Sequence, residues 1–335
     1  MRSNKGRLPF DNKGGIVLDA FLVMLKNVII FVLLAVPGYL LVKGKILTTK
    51  ESGVISKVLT WVGLPFMILT SVLKVEFTGS FALELGAVAL IGVAITFLTL
   101  FLATLLAKGE KDEKKNGMMR FGMIFANNGF LGIPLATAVF LNTRPEVVAF
   151  LVVLNIMNNL MLFSLGVSLI SCDKSTVRLK KLVLNPVLIS FVLSMLLNIS
   201  GVAAKLPAIG EYSSYFSGIV TALSMLVLGI KLADVPFSKL FLNGRMYYIS
   251  LIRLIAFPVI SVGLMFLLRV LLPISDEMIL GVFIAFVMPT AGLASTFADQ
   301  YRGDTEGAVV YTLGSTILSV GVIPLLYWLV EWILK

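Results

Sequence analysis

Two short runs carry the residues able to do chemistry. Residues 125–135 read FANNGFLGIPL and residues 286–301 read FVMPTAGLASTFADQY. In the first, Asn127 and Asn128 precede Gly132 and Pro134; in the second, Thr290, Ser295 and Thr296 surround Pro289 and Gly292. Neutral amides and hydroxyls beside proline and glycine are poor nucleophiles and poor bases, but they are good hydrogen-bond partners for an anion. A proline removes one backbone donor and clashes with the preceding turn, so a helix through either run is expected to break there. The second half-helix would then start near Pro134 in one run and near Gly292 in the other. Unpaired N–H groups and the positive pole of the helix dipole collect at such a start, and they bind anions without a basic side chain. A lone proline is usually only a kink, but two breaks with polar flanks read better as a site. The expected substrate-binding residues are Asn127, Asn128, Thr290, Ser295 and Thr296, with Gly132, Pro134, Pro289 and Gly292 making the breaks.

Other polar residues within apolar stretches have plainer readings. Asn155, Asn158 and Asn159 share one helical face and read as hydrogen bonds between helices. Asn185 and Pro186 read as the start of a helix. Lys26, Lys57, Glu84, Arg120, Arg253 and Asp299 lie within a turn or two of a span end. Lys26, Lys57 and Arg120 can extend to the interface. Arg253 and Asp299 are harder to place this way and stand as candidates for coupling. No pair of acidic residues sits mid-span, which argues against an ion-exchanging carboxylate dyad; a sodium site of carbonyls and hydroxyls stays open.

The chain has no histidine, a single cysteine (Cys172) and no Walker-type loop. A metal centre, a nucleotide hydrolase and a bound cofactor are therefore not expected, and neither is an enzyme. Hydrophobic residues make up 58% of the chain and charged residues 14%, with a mean hydropathy of +1.00. Soluble domains carry about 25% charged residues. The net charge of +10 is concentrated in short loops, which is the positive-inside pattern rather than a nucleic-acid groove.

The elements that must position these residues are membrane spans. Windows of about 20 apolar residues signal a spanning helix. Ten are expected, at 22–42, 54–73, 83–107, 118–141, 146–171, 182–202, 214–233, 246–272, 277–300 and 306–332. The polar stretch 1–21 reads as a tail. Fifteen lysines and arginines fall in one set of loops, Lys231 among them, and eight in the other with the tail included. The richer side is expected to be cytoplasmic, leaving both termini outside a multi-pass cell-membrane protein. The fold class expected is an all-α polytopic membrane protein. It divides at the basic loop 172–181 into two five-helix repeats, 22–171 and 182–335. An odd number of helices per repeat makes the second run inverted, so broken helices 4 and 9 would cross.

At the two breaks the chain resembles the auxin efflux carrier family of membrane transporters, which includes plant auxin exporters and bacterial malonate/malate permease-like proteins. The resemblance rests on Asn127 before Gly132-Ile133-Pro134-Leu135, on Met288-Pro289-Thr290-Ala291, and on Ala298-Asp299-Gln300-Tyr301. Leu64-Pro65, Asn185-Pro186, Leu228-Gly229 and Pro324 fit in the same order, over about residues 22–333. It implies inverted repeats, a scaffold domain beside a crossover transport domain, and transport-site roles for Asn127, Pro134 and Pro289. Dimers are common among the plant members, so a homodimer is a candidate assembly. The short central loop is of the bacterial type. The function expected is a secondary carrier of a small organic anion across the bilayer. The rivals are a sodium-coupled symporter of bile-acid type and a non-transporting membrane sensor.

Overall fold

Apolar runs leave a backbone in hydrocarbon no option but to satisfy its own polar groups, and helices do so. The structure, a computed structural model, describes residues 13–76, 78–173, 186–233, 236, 238 and 241–335, with backbone alone at 13–20 and 203–204. The principal helices are α1 Lys13–Lys43, α2 Thr49–Val72, α3 Gly79–Leu106, α4 Glu113–Ile124, α5 Asn128–Phe140 and α6 Pro145–Ser171. After the midpoint come α7 Pro186–Ile199, α8 Ala208–Ala233, α9 Gly244–Arg269, α10 Asp276–Val287, α11 Ala294–Tyr301 and α12 Thr305–Leu334. Side chains of Thr78, Asp112, Asn243, Ser275 and Asp304 accept from backbone N–H groups and fix the starts of α3, α4, α9, α10 and α12.

Among the described residues, seven helices are long and apolar enough to cross a bilayer: α1, α2, α3, α6, α8, α9 and α12. The other expected spans differ in form. The stretch 113–140 is split into α4 and α5, and 276–301 into α10 and α11. α7 begins where the described residues resume, so Asn185 and linker residues 174–181 lie outside them, as do tail residues 1–12. α1 starts at Lys13, earlier than expected, because an apolar stretch follows Gly15 and carries the helix outward.

Prolines do less breaking than the sequence suggests. Widened turns occupy Leu59–Gly63, Asn128–Gly132, Leu162–Gly166 and Ile252–Ala256. Pro65, Pro134 and Pro258 each follow such a turn by two residues. The wider turn takes up the donor and the space that the proline ring removes, and the helix runs on. Pro134 thus lies inside α5, and the first break falls earlier, at Phe125–Asn127.

The helices pack as two groups. α1 lies along α8, α8 against α2, and α2 against α7. In the other group α6 packs on α3, α4 and α10, while α12 packs on α9 and α11. Within the first group α1 and α8 touch backbone to backbone. A Cβ on Gly229 would sit 1.8 Å from the Ala35 carbonyl oxygen, and one on Gly38 would sit 2.2 Å from that of Leu226. Small residues at such crossings supply close packing where lipid removes the hydrophobic drive between helices. Leu228-Gly229, noted for its family resemblance, therefore has a packing role.

Candidate substrate site at the crossing of two broken helices

Interrupting a helix inside a bilayer frees N–H and C=O groups that need partners. Here each break supplies partners for the other. Phe125–Asn127 and Pro289–Ala291 run antiparallel, with Ala126 opposite Thr290. Asn127 N–H donates to the Pro289 carbonyl at 2.8 Å, and Ala291 N–H donates to the Phe125 carbonyl at 2.9 Å. The remaining groups go to side chains from neighbouring helices. Asn158 of α6 donates to the Ala126 carbonyl at 3.3 Å and accepts a long 3.5 Å bond from its N–H. Ser315 of α12 accepts from Thr290 N–H at 3.1 Å, and the Thr290 hydroxyl donates to the Gly122 carbonyl at 2.8 Å.

Two cations complete the account. Arg253, in the widened turn of α9, is 1% exposed. Its Nε donates to the Met288 carbonyl at 2.8 Å, its Nη1 to those of Ile124 and Met123 at 2.9 and 3.4 Å, and its Nη2 to that of Ala285 at 3.3 Å. Those carbonyls belong to the C-terminal ends of α4 and α10, the negative poles of both first halves. Lys231 of α8 donates from Nζ to the Gly292 carbonyl at 3.1 Å. It was counted above among the loop charges, but it lies in the last turn of its helix and points into the second break.

The positive poles face a cavity of about 630 Å³. Gly129 and Phe130 from the start of α5 line it, as do Ala291, Gly292 and Leu293 leading into α11. The first N–H groups of these half-helices are those that a helix leaves unpaired. Asn127, Asn155 and Asn159 are among its lining, and Trp61, Phe130 and Phe163 give it aromatic walls. The Asn127 amide lies against Gly292, where an added Cβ would meet its Nδ2 at 3.5 Å. Asn155 is 1% exposed, and its buried Nδ2 has no hydrogen-bond partner. A buried donor left unpaired costs stability, which singles Asn155 out beside the cavity.

The expected site residues thus separate. Asn127 and Gly292 line the cavity. Asn128 is buried behind it beside Arg253, in a small void of about 10 Å³ with its Oδ1 unpartnered. Thr290 is fully buried and braces the crossing. Pro289 contributes its carbonyl to the bridge, and Gly132 lets α5 approach Met288. Ser295 is partly exposed, while Thr296 and Asp299 are exposed on α11; none of them lines the cavity. Sequence reasoning missed the part played by Lys231, by Asn155 and by the aromatic walls. The one available signal was Asn155, already singled out for its spacing.

Two family models match parts of the chain. Residues 22–177 match the family model described as membrane transport protein, and residues 218–333 match that of the sodium bile acid symporter family. One break falls in each match. A protein of Methanothermobacter thermautotrophicus, described as an uncharacterized transporter, is 26% identical over 306 residues, covering 89% of this chain and 95% of its own. These matches are consistent with the family resemblance noted at the breaks, and the chain is a multi-pass membrane transport protein.

Proposed function

We propose that this membrane transport protein is a secondary carrier of organic anions that works by alternating access around the crossed breaks. The observation that carries the reading is the convergence of two half-helix N-termini and three asparagines on one cavity. The carboxylate of the substrate would meet the N–H groups at Gly129, Phe130 and Gly292 and the Asn127 and Asn155 amides. Lys231, hydrogen-bonded to the Gly292 carbonyl, adds positive potential. The aromatic walls suit an apolar body on the anion, and the volume lies within the usual range for ligand sites, about 300–1,000 Å³.

On this reading α4 with α5 and α10 with α11 are each one interrupted crossing, and α7 is a full one. That makes ten crossings in two inverted repeats. The packing supports it: α1 on α8 is matched by α7 on α2, α3 on α6 by α9 on α12, and α5 on α6 by α11 on α12. The cavity also contacts Thr60, Phe163 and Pro186, on the side of the basic loops, so it would open to the cytoplasm. Uptake of radiolabelled carboxylates into proteoliposomes tests the assignment. Asn127→Ala should lose transport while staying monodisperse in detergent; transport at the wild-type rate by that variant would sink it. A sodium-coupled symporter is the second reading, favoured by the match over residues 218–333.

A further inference from the structure

Carriers with broken helices bind coupling sodium ions at unwound carbonyls and half-helix C-termini. In this protein the groups in question are the carbonyls of Met123, Ile124, Ala285 and Met288, and all four accept from Arg253. Each helix C-terminus carries roughly half a negative charge, so two of them balance one guanidinium. No carboxylate is among the hydrogen-bond partners of Arg253 in the described residues. Among the described residues, its hydrogen-bond partners are all backbone carbonyls.

We propose that Arg253 is a built-in counter-cation of the crossing, tethered where a mobile coupling cation would otherwise sit, so that transport proceeds without sodium. The inference deepens the carrier reading and rests on it. The planar guanidinium can serve carbonyls from both first halves at once, which a lysine ammonium does less well. It therefore holds α4 and α10 together as one rigid piece whether or not substrate is bound. Arg253 and Asn128 share a void of about 10 Å³, room for about one water molecule. Arg253 does not touch the substrate cavity, so its role is that of a positioning residue.

The test uses the purified full-length protein. Wild type should bind no 22Na saturably, and its melting temperature should be the same in sodium and potassium chloride. Arg253→Ala should melt at lower temperature, and millimolar guanidinium should restore both melting and carboxylate uptake, whereas tetramethylammonium should not. Arg253→Lys should retain part of both, which covers the case in which the alanine variant does not fold. Saturable 22Na binding by wild type, or sodium-dependent melting, would overturn the inference, as would an alanine variant as stable as wild type. Transport of carboxylates driven by a sodium gradient would overturn it and leave the carrier reading standing. Wild type that melts alike in both salts but moves no carboxylate would overturn that reading instead.

Discussion

Asn155 and Asn158 stand one helical turn apart on α6 and do opposite work. Asn158 spends its amide on the backbone of Ala126. The Asn155 Nδ2 is buried without a partner, in a residue that lines the cavity. Replacing an unpartnered buried amide by an apolar side chain of similar shape is neutral or stabilising. Asn155→Leu is therefore expected to melt at or above the wild-type temperature, while losing the thermal shift that a bound carboxylate confers. A variant that melts lower but keeps that shift would show that Asn155 serves the fold. The spacing of Asn155, Asn158 and Asn159 placed them on one face, and hydrogen bonding between helices was the natural reading. For Asn158 that reading is right; the other two line the cavity instead. No periodicity could separate them, because what divides them is which neighbour each one meets.

At the scale of elements the breaks survive because they are paired. Asn158→Ala would leave the N–H and C=O of buried Ala126 without side-chain partners, at a cost of about 1–3 kcal/mol for each group so exposed. The variant should lose thermal stability in detergent and lose transport with it; unchanged melting would show that water or the opposite strand serves those groups equally well. Proline marked the right stretch of chain here but the wrong residue in the first run. Pro134 is absorbed by the widened turn Asn128–Gly132, as Pro65 and Pro258 are by theirs. The interruption at Phe125–Asn127 is set by its antiparallel partner, which no local rule anticipates.

For the whole molecule, two packed groups of helices meet at the cavity, and Lys231 reaches from one to a break in the other. That bond would have to part for the groups to move relative to one another. The proposed orientation can be tested at Cys172, the single cysteine, which is exposed just beyond the end of α6. An impermeant maleimide should label it only in vesicles that present the cytoplasmic face. Partial burial, then the nearby Glu113 carboxylate, push its thiol pKa upward. The thiolate is the reactive form. Labelling at neutral pH should thus be slow for a surface cysteine, and should keep climbing as pH rises past the ordinary thiol range. Labelling from outside intact cells would reverse the topology.

Composition and hydropathy determined the membrane class and most span positions, because partition into hydrocarbon depends on residues summed over a local window; proline and glycine, by their local backbone limits, marked the two stretches that are interrupted. Asn127 and Gly292 were also legible, since each sits beside its own break. The tertiary structure decided where the freed backbone groups go. Arg253 serves Ile124 from 129 residues away, and Lys231 serves Gly292 from 61. In sequence Lys231 reads as a loop charge and Arg253 as a charge near a span end that is a candidate for coupling. A lone charge carries no sign of its partner when that partner is a carbonyl, which every residue has; only the meeting of helices from the two halves selects which carbonyls are left free.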